Sequence, residues 1–209
     1  VAAYERANAF HGDSATAGAS AVRAAEDRAL RAELESVEGK ETATFLWDLK
    51  KFFDSIDICI LVKEAEETGF PLKQLALSLA VHLAPRRLRL GKAVGMPIQQ
   101  IGQSILAGCK RSTHLARVYT LRGIKELDED HPDVTTGQHV DDISNLAIGD
   151  NEDQLVGRAV SYAIHFKRIM TELKMTISEK STIVPASRAG ERIAKHLQDL
   201  KIPMKCEKA

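Results

Sequence analysis

The sequence of 209 residues is 44% hydrophobic, which is enough for a buried core in one domain or in a piece of a larger one. Its 29 basic and 29 acidic residues cancel, which excludes the strongly basic class of nucleic-acid-binding proteins and leaves only local patches for such binding. No stretch has the length of a membrane span, and the Ala-rich N-terminus is too charged for a secretory signal. We therefore predict an intracellular protein, nuclear or cytoplasmic, with no membrane partner. The three cysteines stand far apart and are expected to be small buried residues.

The first half of the chain predicts helices around one strand and one basic ribbon. Apolar residues at helical spacing over 19–38 predict an amphipathic helix. The β-prone residues over 42–49 predict a strand that ends near Asp48. Two apolar helices follow, and after them a basic, glycine-punctuated stretch over 85–97 predicts a β-ribbon or loop. The two helices are predicted over 58–68 and 72–83.

The second half combines helices with short strands. A helix is predicted over 114–127, and the apolar residues that flank Asp141 and Asp142 indicate a hairpin with acids at its turn. A long helix face over 155–173 precedes two short strand-like stretches. These stretches are 175–177 and 182–184. The mixture predicts the α+β class, with an antiparallel sheet packed on helices.

The acidic residues at the ends of apolar strands carry the most chemical information. Asp48 ends the first predicted strand, and Asp141 and Asp142 occupy the predicted hairpin turn. Adjacent carboxylates repel each other unless solvent or a cation compensates, and a hard divalent cation prefers oxygen ligands. The alternative is that these residues are ordinary surface-turn and helix-capping aspartates.

The segment that begins at Asp48, Asp-Leu-Lys-Lys-Phe-Phe-Asp-Ser-Ile-Asp, resembles the first palm motif of reverse transcriptases of non-LTR retrotransposons and group II intron-type elements. The resemblance implies that Asp48 is a metal ligand and that Leu49 offers its backbone carbonyl. It also implies that Phe53 is the aromatic residue beneath the incoming sugar, which excludes a 2′-hydroxyl. The alternative for Phe52 and Phe53 is a place in the core.

His139-Val-Asp-Asp is similar to the third motif of the same family, with histidine in place of the usual aromatic residue. Asp141 and Asp142 would then be metal ligands, and the implied cofactor is a pair of Mg²⁺ ions, for which Mn²⁺ could substitute. A Gly-Asp-Asp sequence would have indicated a viral RNA-dependent RNA polymerase instead.

The second and fourth motifs match less closely. The second has two placements, at Gly95-Met-Pro-Ile-Gln-Gln or at Ala107-Gly-Cys-Lys-Arg-Ser-Thr, and the second placement is preferred because it directly precedes a helix. Gly108 would then approach template and nucleotide, with Lys110 and Arg111 near phosphate. The stretch after Leu173 is similar to the fourth motif, in which Lys180 would neutralise or protonate the leaving pyrophosphate. An exposed turn lysine is the alternative.

The resemblance implies a right-hand polymerase palm with part of the fingers. We expect partial fingers over 1–45, a reverse transcriptase-like palm with a fingers insertion over 46–187, and the end of the palm or the start of the thumb connection over 188–209. The local basic patch is expected to grip template backbone or triphosphate, or to be a solvated ribbon. Its arginines are Arg86, Arg87 and Arg89.

The implied function is template-directed DNA synthesis by a retroelement reverse transcriptase, an RNA-directed DNA polymerase. Its partners would be an RNA or DNA template with primer and deoxynucleoside triphosphates, and the chain is expected to be part of a longer polypeptide. Two alternatives remain. One is a catalytically decayed polymerase-like domain that binds nucleic acid or protein, which the altered second motif favours. The other is an RNA-dependent RNA polymerase.

Overall fold

A computed structural model describes residues 2–98 and 102–207 of the chain. The helices of this part are α1 (Ala2–Ala7), α2 (Ala21–Val37), α3 (Phe52–Ser55), α4 (Ile58–Glu67), α5 (Leu72–His82), α6 (Ser112–Asp130), α7 (Glu152–Glu172) and α8 (Ala189–Asp199). The strands are β1 (Glu41–Trp47), β2 (Arg89–Leu90), β3 (Ala93–Val94), β4 (Val134–His139), β5 (Asp142–Gly149), β6 (Thr182–Pro185) and β7 (Lys205–Cys206). The α+β class is confirmed. None of the described helices is both long and apolar enough to cross a bilayer.

The chain folds into two compact units, each built from two separate segments. Unit 1 comprises residues 1–8 and 51–122, and unit 2 comprises residues 9–50 and 123–209. A five-stranded sheet in the order β4-β5-β1-β6-β7 is the centre of unit 2. Its pairs are antiparallel except for the parallel pair β6–β7. The predicted antiparallel sheet is therefore confirmed, and the parallel edge strand is an addition that the sequence did not predict.

The core of unit 2 lies between the sheet and α7. Side chains alternate between the two faces of a strand, and Phe45 and Trp47 of β1 are buried. Trp47 stacks on Phe166 of α7, with ring centroids 4.2 Å apart. The Trp47 indole N–H donates to Oδ1 of Asn145 on β5 at 2.6 Å, so the polar atom of this ring is satisfied in the core. The helix predicted over 155–173 is thereby confirmed.

The other face of the sheet meets α2, which packs loosely. Ser20 caps the helix by accepting from the Arg23 N–H, and Arg31 donates to Thr135 Oγ1 at 2.7 Å. The helix prediction is confirmed, although none of the residues of α2 is buried. A groove of about 730 Å³ separates α2 from β1 and β6, and polar contacts hold the helix at that distance.

Unit 1 contains the helices that the sequence predicted after the first acidic segment. The Asp57 carboxylate caps α4 by accepting from the N–H groups of Cys59 and Ile60, which satisfies two of the free donors of the first turn. Farther along α4, Glu64 binds Arg122 of α6 through both oxygens, at 2.6 and 2.9 Å. The predicted helices α4 and α5 and the basic ribbon β2–β3 are confirmed.

Two local predictions are wrong. Cys59 and Cys206 are exposed and Cys109 is half-buried, because each occupies an outward position of its helix, edge strand or turn. The stretch 175–177 makes only an isolated bridge between Ile177 and Leu49 instead of a strand.

His82 gives unit 1 a pH-dependent stability. Its ring is buried, and its Nδ1 accepts from the Leu106 N–H at 2.9 Å, so the ring is neutral with its proton on Nε2. Burial and the nearby Arg86 charge lower the pKa of His82. The neutral imidazole therefore contributes stability that is complete above about pH 6.5 and is lost as the pH falls toward the depressed pKa.

We expect His82→Leu to lower the free energy of unfolding at pH 7.5 by about 1–3 kcal/mol, because the Leu106 N–H loses its acceptor. The difference in stability between wild type and variant should shrink at pH 5. There, protonation of His82 in the unfolded chain destabilises the folded wild type, whereas leucine does not titrate. Urea denaturation at the two pH values measures both quantities. An equal difference at both pH values would contradict the assignment.

Candidate active site

Asp48 follows directly after β1 and is held by its backbone. Its N–H donates to Ser181 Oγ at 3.0 Å, and its carbonyl accepts from the Ser178 N–H at 2.8 Å. The next residue, Leu49, is buried and bridges Ile177. The loop that follows α7 thus fixes the chain on both sides of Asp48, while the Asp48 side chain is exposed. This arrangement presents a carboxylate from a rigid strand end.

Val140 and Asp141 form the two-residue turn between β4 and β5, and Asp142 is the first residue of β5. His139 and Asp142 form the last pair of the ladder, and Val140 has φ +59°. Positive φ at the first turn residue alone is the type II′ pattern, which glycine normally occupies. For a β-branched residue such as Val140 this conformation is strained. Strain of this kind concentrates at functional sites and persists where the surroundings enforce it.

Gln138 and the segment 12–14 enforce the turn. The Gln138 side chain donates to the Val140 carbonyl at 2.7 Å. Its backbone N–H donates to the Gly12 carbonyl at 2.8 Å, and its carbonyl accepts from the Ser14 N–H at 2.9 Å. A Cβ on Gly12 would collide with the Thr136 carbonyl oxygen, so this close approach requires glycine. The sequence did not indicate that Gln138 and Gly12 position the turn, because an isolated bridge between two remote segments leaves no local pattern in the sequence.

The sheet register brings Asp48 and Asp142 together. Trp47 pairs with Ile143 at the end of the β1–β5 ladder, so the next opposed positions are Asp48 and Asp142. Burial raises the pKa of Asp142, the Asp141 and Asp48 carboxylates raise it further, and His139 partly offsets the rise. The Asp48 charge is therefore close enough to act on Asp142, although 93 other residues separate the two in the sequence. The structure thus places the first and third predicted motifs side by side.

The donor set suits a hard cation. No described residue donates a hydrogen bond or forms an ion pair to the carboxylates of Asp48, Asp141 or Asp142, so their oxygens are free to bind an ion. The three side chains do not all approach within 4.8 Å of one another, a spacing that mutual repulsion favours. Carboxylate oxygens are the ligands that Mg²⁺ prefers. The residues present fit Mg²⁺, and the ligand roles of these acids and of Leu49 stay predictions.

Lys180 and its neighbours lie on the loop that holds Asp48. The Lys180 N–H donates to Ser178 Oγ at 3.2 Å, and the side chain is exposed. Lys50 pairs with Glu179 at 2.8 Å, so a cation beside Lys180 is already neutralised while Lys180 has no such partner among the described residues. Its proposed contact with pyrophosphate stays a prediction.

Open space lies on the sheet face that carries Asp142. A groove of about 310 Å³ is lined by Asp142, His139 and Ser14 together with Leu46 and Arg28. Ser14 Oγ lies 3.1 Å from His139 Nδ1, which fixes the imidazole at the rim of the groove. The groove leaves open space next to Asp142.

The predicted substrate residues of the first and second motifs belong to unit 1. Phe53 is half-buried in α3 and meets Phe52 edge to face, with ring centroids 5.4 Å apart. Phe52 is therefore the core aromatic of the pair. Gly108 has φ +81° and an added Cβ would meet nothing within 4 Å, so only its backbone conformation requires glycine. Lys110 is exposed, and Arg111 donates to Ser78 Oγ at 3.2 Å.

The basic ribbon presents two of its three arginines. Arg87 and Arg89 are exposed, and Arg89 donates through Nε to the Gly91 carbonyl at 2.9 Å. Arg86 is half-buried and donates to the His82 carbonyl at 2.9 Å. In the alternative placement of the second motif, Gln99 and Gln100 lie outside the described residues. The binding roles of all these residues stay predictions.

Three potential metal-binding side chains lie close together on α6 and α7. His165 on α7 lies near Glu126 and Asp130 of α6, with one possible ligand atom of each residue within 4.8 Å of the others. Among the described residues this is the one group of three metal-binding side chains at such spacing. No sequence pattern could have predicted it, because the residues come from two helices whose packing is a tertiary feature.

No protein-family model and no curated protein sequence matches this chain. Solved structures with a similar fold include apo telomerase from Candida tropicalis, truncated from its C-terminal domain. That comparison has a TM-score of 0.60 at 11% identity and covers 84% of this chain and 36% of the telomerase chain. Telomerase from Candida albicans in complex with the TWJ fragment of telomeric RNA gives a TM-score of 0.51 at 10% identity, with coverage of 88% and 34%.

The chain therefore spans about a third of the length of these telomerase chains. At such low identity the likeness concerns the fold, and it supports a reverse-transcriptase-like polymerase fold. It does not extend to the non-LTR or group II intron type that the motifs resemble.

Proposed function

We propose that this chain carries the polymerase centre of a reverse transcriptase and extends a primer with deoxynucleotides along an RNA or DNA template. The observation that carries the proposal is the convergence of Asp48 with the Asp141-Asp142 turn at adjoining ends of β1 and β5. The sheet itself does not require three carboxylates at this place. Burial raises the pKa of Asp142, and repulsion from Asp141 and Asp48 raises it further. Such a costly arrangement is typical of a functional site.

Each group has a defined part in the proposed reaction. Asp48, Asp141 and Asp142 would hold two Mg²⁺ ions, with the Leu49 carbonyl as a further ligand. The bound ions would activate the primer 3′-hydroxyl and stabilise the charge on the phosphates. Gln138 keeps the turn acids in position through the Val140 carbonyl. Lys180 would offer its ammonium to the leaving pyrophosphate.

The partners follow from the same proposal. One of the telomerases of similar fold was solved with RNA, and by extension we propose that an RNA template binds this chain. Exposed basic groups on the ribbon, Arg87 and Arg89, would contact phosphate, which makes binding sensitive to salt. A retroelement origin, the palm and fingers boundaries and an intracellular location belong to the proposal as well.

Primer extension tests the proposal and separates its alternatives. The purified chain is incubated with a primed RNA template, Mg²⁺ and either deoxynucleotides or ribonucleotides. Deoxynucleotide addition is the expected result. A preference for ribonucleotides would indicate an RNA-dependent RNA polymerase instead. Binding of the primed template without any nucleotide addition would indicate a decayed polymerase-like domain.

Phe53 provides a specific prediction of sugar selectivity. We expect Phe53→Val to relax the preference for deoxynucleotides over ribonucleotides by about 10²-fold, because a steric barrier to the 2′-hydroxyl is removed. Phe53→Tyr is the matched control, since it keeps the ring. The ratio of kcat/KM for the two nucleotide types measures the effect. Unchanged selectivity in Phe53→Val would remove Phe53 from the nucleotide site.

A further inference from the structure

Two histidines and two acids form a second polar cluster in unit 2. The His131 Nε2 and His165 Nδ1 atoms lie 3.1 Å apart, and Asp130 Oδ2 lies 3.8 Å from the same His165 nitrogen. The other nitrogen, His165 Nε2, lies 3.1 Å from Glu126 Oε1. The two sides of the His165 ring therefore have different surroundings.

The packing around the cluster fixes the two rings. His131 meets the fully buried Tyr162 edge to face at 5.3 Å between ring centroids. Its backbone is also fixed, because its N–H donates to the Leu127 carbonyl at 3.1 Å and its carbonyl accepts from the Val134 N–H at 2.9 Å. His165 is only 14% exposed. Both imidazoles are thus oriented before any ligand arrives, which lowers the entropic cost of binding one.

We propose that this cluster is a binding site for a transition-metal ion such as Zn²⁺, with His131 Nε2, His165 Nδ1 and a carboxylate oxygen of Asp130 as protein ligands. A separation of 3.1 Å between the two nitrogens is close to the edge of a tetrahedron whose metal–nitrogen bonds are about 2.0–2.1 Å long. The three proposed ligand atoms do not all lie within 4.8 Å of one another, so the exposed Asp130 side chain must rotate to complete the set. Imidazole with carboxylate is a ligand combination that suits zinc, whereas Mg²⁺ prefers oxygen alone.

Glu126 supports this arrangement from the far side of His165, where Arg168 also lies. When His165 Nε2 carries the proton and donates to Glu126, His165 Nδ1 is left with its lone pair for the metal. Hydrogen-bonded carboxylates fix the tautomer of metal-binding histidines in this way. Arg168 pairs with Glu126 and, at 2.6 Å, with Glu172, and its Nη2 lies 2.6 Å from His165 Nε2, so the arginine is on the side away from the proposed ion. Because a guanidinium only donates, donation from His165 Nε2 to Glu126 requires Arg168 to turn from this nitrogen to its carboxylate partners.

The site is separate from the polymerase acids. His131 precedes β4, whose first residue is Val134, and the acidic turn follows His139 at its other end. Five residue steps along a strand correspond to about 17 Å. A bound ion would link the end of α6 to α7 next to the strand that carries the turn, so we expect it to stabilise unit 2 without contact with the substrate.

Zinc titration in excess Mg²⁺, which saturates the carboxylates of the polymerase centre, tests the inference. We expect one Zn²⁺ per chain and a higher Tm. The double variant His131→Ala/His165→Ala should weaken Zn²⁺ binding by at least about 10²-fold, and Glu126→Gln by about 10- to 100-fold. His196→Ala, which removes an exposed histidine on α8, is the matched control and should bind as the wild type does.

Spectroscopy with Co²⁺ reports the metal site itself and, applied to variants that are shown to be folded, separates loss of the site from loss of the fold. Visible d–d bands of a tetrahedral Co²⁺ site are expected in the wild type and in the Asp141→Asn variant, which lacks a polymerase acid. Loss of the bands in the folded double-histidine variant would support the inference. Equal Zn²⁺ affinity in the wild type and that variant, or no Zn²⁺ binding by the wild type, would overturn it and leave the proposed polymerase function unaffected.

Discussion

Asp141→Asn is expected to abolish nucleotide addition, with a loss of kcat on the order of 10³-fold or more, because the variant lacks one of the proposed ligands of the metal ions that act in the transition state. Asparagine keeps the size of the side chain and loses its charge. Asp141 occupies the hairpin turn and its side chain makes no described hydrogen bond or ion pair. The fold should therefore remain intact.

The same change should leave the stability at neutral pH unchanged or slightly raise it. Asp141 and Asp48 both oppose ionisation of Asp142, whose pKa is raised, so removal of one carboxylate relieves repulsion in the folded state. Active sites often contain groups that serve function and lower the stability of the fold. A purely structural aspartate would behave in the opposite way, because its loss would destabilise the protein.

Asp150→Asn is the matched control for this prediction. Asp150 is an exposed aspartate that follows β5 at the end opposite the acidic turn. Single-turnover primer extension measures the rate, and thermal unfolding measures the stability of each variant. Equal rates for the Asp141 and Asp150 variants would exclude the turn as the catalytic centre.

Phe166→Ala is expected to cost about 3–5 kcal/mol of unfolding free energy, because a fully buried aromatic side chain is replaced by a cavity. Phe166 is 0% exposed and stacks on Trp47 at 4.2 Å and on Tyr162 at 6.3 Å. A typical domain has a total stability of about 5–15 kcal/mol. The variant should thus lose a large share of the stability of unit 2.

Ile164→Ala on the same helix is the control. Ile164 is 48% exposed, and a substitution at such a surface position usually changes stability by less than about 0.5 kcal/mol. Urea denaturation of both variants measures the difference. Similar losses in the two variants would contradict the placement of the core between α7 and the sheet.

We also expect the loss of Phe166 to disturb the position of Asp48 in the proposed active site. Trp47 directly precedes Asp48, and its position depends on the stack with Phe166 and on the bond to Asn145 Oδ1. A folded Phe166→Ala protein, assayed well below its Tm, is expected to add nucleotides more slowly than the Ile164→Ala control. The Asp141→Asn variant tests the acidic residues directly, and the Phe166→Ala variant tests the core packing that holds Asp48 beside them.

Local sequence was sufficient for most elements and for the identity of the acids. The helical period over 155–173 and the β-prone stretch before Asp48 predicted α7 and β1, because these signals depend on neighbours within a few residues. Asp48, Asp141 and Asp142 stood out because charged residues directly follow or interrupt apolar strands. The same local signals could not reveal that α2 packs loosely, since the extent of its burial depends on what lies opposite.

Only the tertiary structure decided which distant residues meet. The pairing of β1 with β5 places Asp48 opposite Asp142, and a slip of one residue would have turned one of them to the other face of the sheet. The support of Val140 by Gln138 and the meeting of His131 with His165 depend on the same long-range packing. The sequence determined which residues have the chemistry to act, whereas the register and the packing of helices on the sheet determined which of them lie together. The physical reason is that periodicity reports neighbours along the chain, while contacts between remote segments depend on the free energy of the whole fold.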